Sequence, residues 1–295
     1  MIPTIHTLAG PVWEDYELVD SGNSAKLERF GPYLFIRPEH QASWKRSLSV
    51  KRWDSAQGKY YPTSGEETGG RWEYRQPVEP SWKMHYKGLT FLARATSSRH
   101  LGVFPEQAAH WDWISGCIKA VNRPVRVLNL FGYTGLASLA AAQAGALVTH
   151  VDASRKSVGW ARENQALSGL KDHPMRWIVD DALKFVQREG RRGVQYDGII
   201  LDPPKFGRGP KGEVWECLEM LPELLEACRQ TLAPEPLFVV ITAYAIRASA
   251  LSLYYALDQM MHGVGGSISC GELVIEERSG NRTLSMAIFA RWSAD

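Results

Sequence analysis

The stretch Val125-Arg126-Val127-Leu128-Asn129-Leu130-Phe131-Gly132-Tyr133-Thr134-Gly135 decides how the rest of the chain is read. Its first six residues are mostly valine and leucine, the composition of a strand buried on both faces. The run breaks at two glycines three residues apart. Leu136-Ala137-Ser138-Leu139-Ala140-Ala141-Ala142-Gln143-Ala144-Gly145 follows, an Ala/Leu helix with a glycine at its C-terminal end. Strand, glycine turn and helix in that order open an α/β sheet. Bare backbone N–H groups at such a turn can meet a ligand that side chains would hold away.

Downstream the pattern repeats. A second strand, 147–151, ends in Asp152, and a helix starting at Ser154 runs through Val158, Ala161 and Leu167. A third strand, 175–179, ends in Asp180-Asp181, followed by a short helix with Ala182, Phe185 and Val186. A fourth, 196–201, ends in Asp202-Pro203-Pro204-Lys205-Phe206, and the loop 207–212 separates it from a helix expected over 213–231. A fifth, 237–241, ends in Thr242-Ala243-Tyr244 and leads to a helix expected over 246–261. Two last strands, 271–277 and 284–292, have no helix between them and are expected as antiparallel neighbours. Strands alternating with helices predict a mainly parallel, doubly wound sheet.

Ligands of such sheets bind beyond the carboxyl ends of the strands, and here successive strands end in polar, ligand-type residues. Asp152 lies 20 residues after Gly132 at the tip of the next strand, where a carboxylate can accept both hydroxyls of a ribose. The plainer reading of an aspartate here, a helix N-cap, falls better on Ser154. Of Asp180 and Asp181, one is expected to cap the following helix and the other to accept from an adenine amino group; Asp181 with Ala182 is assigned to adenine. A nucleoside ligand is implied. The glycines do not form the GxGxxG pattern of dinucleotide enzymes, which argues against a nicotinamide oxidoreductase.

The two prolines after Asp202 remove backbone donors and fix φ. They predict a rigid turn that presents carbonyls, together with the Asp202 carboxylate, to an exocyclic amino group of a planar substrate, with Phe206 stacking on it. The loop 207–212, with three glycines and two cations, is expected to be mobile and to order over substrate.

Before this region, residues 1–95 carry short strand-like runs and turn clusters and are expected to form a small, mostly-β accessory domain, with 96–295 as the α/β domain. Residues 16–20, 26–30 and 33–38 read as hairpin strands, and 64–70 as a polar, glycine-rich loop. A helix is expected from Ala108, with Trp111, Ile114 and Ile118 at helical spacing. Five of the eleven tryptophans (Trp13, Trp44, Trp53, Trp72, Trp82) fall in the first 82 residues. Arg46, Lys51 and Arg52 lie between Trp44 and Trp53, a mixture that can face RNA; the plainer reading makes the tryptophans a thin core and the charges a solvated edge.

Composition sets outer bounds. With 295 residues, 44% hydrophobic, 22% charged and a net charge of +2, the chain reads as soluble and globular, and its charge permits a nucleic-acid partner without requiring one. The four cysteines (Cys117, Cys217, Cys228, Cys270) are far apart without a CxxC pair. No metal site and no disulfide framework is expected, and reduced thiols point to the cytoplasm. Neither a signal peptide nor a membrane span is read.

The residues 125–135, Asp152, Asp181-Ala182 and Asp202 to Phe206 resemble the motifs of class I S-adenosylmethionine-dependent methyltransferases. More narrowly they resemble the bacterial 23S ribosomal RNA large-subunit methyltransferases of the cytosine-C5 type. Asn129-Leu130-Phe131-Gly132-Tyr133-Thr134-Gly135 is similar to that group's Asn-Leu-Phe-x-Tyr-Thr-Gly, and Ser154, Ala161, Asn164, Leu167, Gly169 and Leu170 match its second helix. The likeness covers residues of about 100–292. It implies a Rossmann-like seven-stranded methyltransferase sheet, S-adenosyl-L-methionine as cofactor and a role in rRNA processing.

By position, Gly132, Tyr133 and Thr134 would lie along the methionine moiety, Asp152 would bind ribose and Asp181 adenine. Phe104 and Gln107 would sit in the segment that covers the cofactor. Asn129, Phe131, Gly135, Ala153, Ser154, Asn164, Asp180 and Ala182 complete the implied cofactor set, while Asp202, Pro203, Pro204, Lys205 and Phe206 would frame the target base. The chain departs from the group in three places. It opens directly in the β region rather than in a PUA domain. It carries Ala243 where cytosine-C5 members place a cysteine, and Ala108 where some relatives carry arginine. Without that cysteine, N-methylation of a base is at least as well supported as C5 methylation, which needs a thiolate to attack C6. Two alternatives remain at this level: methylation of a protein or small molecule, and a non-catalytic RNA-binding or assembly protein on the same fold. The oligomeric state is open.

Overall fold

The computed structural model describes residues 2–63 and 69–294; residues 64–68 of the expected glycine-rich loop lie outside them. The chain divides into two compact units, one of Met1–Leu8, Gln107–Leu273 and Met286–Asp295, the other of Ala9–Glu106 and Val274–Ser285. The first strand, β1 (Ile5–Ala9), enters the sheet of the α/β unit.

The β unit contains β2 (Tyr16–Gly22), β3 (Ala25–Phe30), β4 (Tyr33–Pro38), the short helix α1 (Val50–Asp54), β5 (Gly58–Pro62) and β6 (Gly70–Tyr74), with the five strands in sequential order in one sheet. A separate hairpin follows, β7 (Ser81–Tyr86) and β8 (Leu89–Arg94). Asn23 and Ser24 both take positive φ, 52° and 56°, at the β2–β3 turn, the left-handed pair that matches the twist of a tight hairpin. Phe35 stacks on Trp82 at 5.7 Å, and Tyr33 meets the same indole edge-on at 5.0 Å. Trp53 is 1% exposed and donates its Nε1–H to Asp20 Oδ2 at 2.7 Å, and the Arg46 guanidinium lies 3.7 Å over its ring. The plainer reading therefore holds for Trp53, which is core, and for the exposed Lys51 and Arg52, whereas Arg46 is partly buried against the Trp53 ring.

Two closed polar networks hold this unit. Arg37 grips Glu28 through two 2.7 Å bonds, and Tyr16 donates to the same carboxylate at 2.9 Å. Burial alone would raise the Glu28 pKa, but Arg37 and Lys26 overcome it and hold the carboxyl down at about 2. Asp20 accepts from Ser47 N, Leu48 N, Trp53 Nε1 and Ser279 Oγ, and these four donors outweigh its burial and lower its pKa.

The α/β unit continues with α2 (Ala108–Lys119), β9 (Arg126–Leu130), α3 (Leu136–Gln143), β10 (Leu147–Asp152), α4 (Arg155–Leu167), β11 (Met175–Val179), α5 (Ala182–Arg191) and β12 (Gly198–Leu201). Then come β13 (Phe206–Arg208), β14 (Val214–Glu216), α6 (Cys217–Arg229), β15 (Phe238–Ala243), α7 (Ala250–Met260), β16 (Ser267–Glu276) and β17 (Thr283–Ser293). The large sheet runs β1-β16-β17-β15-β12-β9-β10-β11. β9 to β12 and β15 are parallel, and β17 is antiparallel to β15. Alternation along β9 explains why apolar residues point to both faces. Leu128 and Leu130 enter a core with residues of α5, α6 and α7, whereas Val127 enters another with Ile114, Ala141 and Val148.

The sheet has eight strands rather than the seven expected, because β1 pairs at its edge beside β16. Gly271 permits this: a Cβ there would overlap the backbone of His6. β1 is short and mostly exposed, so its sequence carries no core pattern. Two helices begin later than expected. Residues 214–216 form β14 instead of the start of α6, and α7 begins at Ala250 after a left-handed Ala245 (φ 52°).

Candidate cofactor and substrate site

Register places the three important tips side by side. Leu130 of β9 pairs with Val151 of β10 and with Leu201 of β12, so Phe131, Asp152 and Asp202 are the next residues of three adjacent strands. β9 is also where the strand order reverses, with β10 and β11 on one side and β12 and β15 on the other. This is the topological switch point at which open α/β sheets form their crevice.

The turn after β9 is left-handed at Phe131 (φ 57°), Tyr133 (φ 49°) and Gly135 (φ 86°). Each non-glycine residue in that region costs about 1–2 kcal/mol, so the surroundings must hold it. Gly132 N donates to Val151 O at 3.0 Å, Tyr133 N to Asp152 Oδ2 at 2.9 Å, and Gly135 N to Gly132 O at 2.9 Å. These three N–H groups are therefore not bare, as the sequence had suggested; they brace the turn. Asn164 Nδ2 adds a 2.9 Å bond to Thr134 O. Gly135, the N-cap of α3, is needed twice over, for its φ and because a Cβ would fall 2.8 Å from Ala161 Cβ.

Asn129 and Asn164 are fully buried side chains. Asn129 Nδ2 donates to Ser138 Oγ at 2.8 Å, and Ser138 Oγ lies 3.0 Å from His150 Nδ1. Both asparagines support the turn from within. His150, which the sequence reading passed over, is buried, and burial lowers its pKa to about 3. Its signal in the sequence was a histidine within a strand-like run, and the structure puts it in register with Asn129.

Asp152 is clamped by two backbone donors, Tyr133 N on Oδ2 and Ser154 N on Oδ1 at 2.8 Å. Ser154, one residue beyond Ala153, is the N-cap of α4 and accepts from Ser157 N at 3.2 Å. Burial raises the Asp152 pKa, and the two N–H bonds offset part of that rise. At the next tip the division of roles differs from the one expected. Asp181 itself caps α5, accepting from Lys184 N at 2.9 Å, because it is the last extended residue before Ala182. Asp180 accepts from Asp181 N and pairs with Arg188 instead.

At the tip of β12, Gln107 Nε2 donates to Asp202 Oδ2 at 3.2 Å. Gln107 thus meets the Asp202 motif, whereas Phe104 belongs to the β unit, where its ring lies 4.6 Å from that of His100. Pro203 is buried; Pro204, Lys205 and Phe206 are exposed, Phe206 to 55%. The carbonyls expected to face substrate are engaged elsewhere. Pro204 O accepts from Trp215 Nε1 at 2.7 Å and Lys205 O from Cys217 N at 3.0 Å.

The loop 207–212 is the end of a β13–β14 hairpin, with Gly207 opposite the buried Trp215. Trp215 also packs on Phe131 at 4.9 Å, and Lys184 pairs with Glu213 at 2.8 Å. Nothing in the sequence singled out Trp215. No cysteine here is an activated thiol: burial raises the pKa of all four, and burial together with the Asp202 charge pushes Cys217 up to about 11. Ala243, where a nucleophilic cysteine would stand, is buried at the tip of β15.

A glycine turn at the switch point, flanked by carboxylates on neighbouring strand tips, defines an α/β enzyme with a nucleoside-containing cofactor. The chain matches the family model for S-adenosylmethionine-dependent methyltransferases over residues 26–246 and belongs to that family. Its cofactor is S-adenosylmethionine. A crystal structure of an S-adenosylmethionine-dependent methyltransferase from Agrobacterium tumefaciens is similar throughout, with 46% identity, a TM-score of 0.94, and coverage of 99% of this chain and 96% of that one. Among curated proteins the chain is similar to ribosomal RNA large subunit methyltransferase K/L. With that of Shewanella sp. (strain ANA-3) it shares 42% identity over 90 residues, 30% of this chain and 13% of that protein. With that of Shewanella frigidimarina (strain NCIMB 400) it shares 37% over 149 residues, 50% of this chain and 20% of that protein. The chain thus matches only a small part of the length of these relatives.

Proposed function

We propose that this methyltransferase modifies a base in RNA, ribosomal RNA being favoured, and that the atom methylated is an exocyclic nitrogen. The observation that carries this reading is the Asp202-Pro203-Pro204-Lys205-Phe206 tip, beside the glycine turn and without an ionisable thiol among the described residues near it. The likeness to ribosomal RNA methyltransferases supports the substrate class.

The cofactor supplies a methyl group already activated on a sulfonium. Asp152 accepts the ribose hydroxyls, and the fixed carboxylate between Tyr133 N and Ser154 N suits a diol. Asp181 caps α5 with Oδ1, and its carboxylate with Ala182 takes the adenine edge. Gly132, Tyr133 and Thr134 line the methionine end. Gln107 orients Asp202, which accepts a hydrogen bond from the substrate amino group and directs the nitrogen lone pair toward the methyl carbon. Transfer to nitrogen needs this alignment and a route for one proton, and no covalent intermediate. Phe206 stacks against the base, and Lys205 with Arg208 meets phosphates. The β unit, residues 1–95 in the sequence reading, serves as the accessory substrate domain, with exposed Lys45, Lys51 and Arg52 as its cationic surface. Among the described residues no helix is long and apolar enough to cross a membrane. The four unpaired cysteines fit a reducing cytoplasm.

The test is transfer of labelled methyl from the cofactor to three substrates: deproteinised ribosomal RNA from a strain lacking the gene, total protein, and the small-molecule fraction. Nuclease-sensitive label that hydrolyses to an N-methylated base supports the proposal. Label confined to protein or small molecules, or a C5-methylated pyrimidine, contradicts it. Lys205→Ala with Arg208→Ala is expected to weaken RNA binding about tenfold while leaving cofactor affinity intact.

A further inference from the structure

The turn after β9 contains one glycine that its backbone does not explain. Gly135 needs its left-handed φ, but Gly132 lies outside that region. What a side chain at 132 would meet is His150. A Cβ built there falls 2.5 Å from Nδ1 of the imidazole and closer still to Cε1, well inside van der Waals contact. The imidazole cannot readily move aside. It is fully buried, its Nδ1 is 3.0 Å from Ser138 Oγ, and its ring lies 4.7 Å from that of Trp177. Asn129, His150 and Trp177 are in register across β9, β10 and β11, so they form one row on the sheet beneath the turn. Trp177 is fixed in turn by a 3.0 Å bond from Nε1 to Gln165 Oε1.

The hydrogen bonds also set the ring. Asn129 Nδ2 donates to Ser138 Oγ, and the same hydroxyl lies within hydrogen-bond distance of His150 Nδ1. The other ring nitrogen, Nε2, has no partner among the described residues.

We infer that His150, rather than the ligand, is what requires glycine at position 132, and that the Gly132–His150 contact sets the position of the cofactor-binding turn. His150 is a positioning residue that lies flush beneath Gly132, while the N–H of the same glycine bonds to Val151 O, one residue beyond the histidine. This inference rests on the proposal that residues 131–135 hold the methionine end of the cofactor.

The experiment is calorimetric titration of S-adenosylhomocysteine, with thermal unfolding alongside, on the protein and four variants: Gly132→Ala, His150→Ala, Gly132→Ala with His150→Ala, and Gly132→Ala with His150→Phe. Gly132→Ala should bind roughly a hundredfold more weakly, the scale of effect expected when binding groups are misplaced by about 1 Å. His150→Ala should lose about threefold, and the double alanine variant should return to within about threefold of His150→Ala, since contacting sites are strongly non-additive. The phenylalanine pairing keeps the bulk of the ring and should stay as weak as Gly132→Ala. A double alanine variant as weak as Gly132→Ala would overturn the inference, because the added methyl would then be obstructing the ligand itself. If the parent protein binds no S-adenosylhomocysteine, the cofactor reading of the turn fails, and unfolding alone decides the pairing. Recovery of the midpoint in the double alanine variant supports it, and no recovery refutes it.

Discussion

The Glu28 and Asp20 networks of the β unit and the strand-tip groups of the α/β unit bury polar atoms in opposite ways. In the β unit the buried charges close on each other: Glu28 is bonded by Arg37 and Tyr16, and Asp20 has four donors. In the α/β unit, where Glu189 is closed by Arg176 and Tyr196, two polar groups near the strand tips are left incomplete. Asp152 is held by only two backbone N–H groups with its pKa raised, and His150 Nε2 is without a partner among the described residues. A closed network stabilises the fold it sits in, whereas an open one at a strand tip is poised for a ligand to complete. Substitutions in the first should change stability and spare affinity, and substitutions in the second should do the reverse.

The largest expected effect is on the closed side. Glu28→Gln strands Arg37 in the interior and should destabilise the protein by about 3–5 kcal/mol, as breaking a buried pair does. Denaturant unfolding measures this, and S-adenosylhomocysteine affinity of the folded fraction should not move. Replacing the whole network, Glu28→Leu with Arg37→Met and Tyr16→Phe, should recover most of the loss; failure to recover would mean that the network does more than satisfy itself.

Acid should separate the networks next. The Glu28 and Asp20 pKa values are depressed in the folded state, so their contribution is complete above their unfolded values and is lost as pH falls through the folded ones, toward about 2 for Glu28. Asp152 has the opposite sign. Its raised pKa makes the charged form unfavourable to folding, yet ligand binding needs that form. Cofactor affinity should therefore fall with pH at values where the β unit is still fully stable, a difference that calorimetry and melting curves over one pH series can resolve.

The smallest effect concerns His110 in α2, which is buried with neither ring nitrogen partnered among the described residues, packs edge-on to Phe289 at 5.3 Å, and has its pKa lowered by burial to about 3. His110→Phe should stabilise by about 1 kcal/mol, since it removes unmet donors and acceptors from an apolar site. A loss of activity in that variant would reassign His110 to the open network.

Much of this was legible in the chain. Strands β9 and β10 announced themselves because most of their residues are valine or leucine and each is followed by a helix-like run, and Ser154 was recognisable as a cap at the start of the next helix. Asp152, Asp181 and Asp202 were singled out because each ends a strand-like run or follows one directly. What escaped notice lacked a local signal. β1 is an exposed edge strand admitted by Gly271, far away in sequence. The β13–β14 hairpin hides in a glycine-rich stretch because the tryptophan that anchors it bonds to Pro204 O, across the hairpin. The choice between Asp180 and Asp181 depended on where α5 begins, which is a matter of one residue.

The central claim is that the tips of β9 and β10 hold the cofactor through Asp152. The direct measurement is calorimetric titration of S-adenosylhomocysteine, with NADH as a control, into the protein and its Asp152→Ala variant, with melting curves for both. The account predicts binding of S-adenosylhomocysteine alone, weakened roughly a hundredfold in the variant as two charge-assisted bonds are lost, with the fold intact. Equal affinity in the two proteins would contradict it and move the cofactor away from these strand tips.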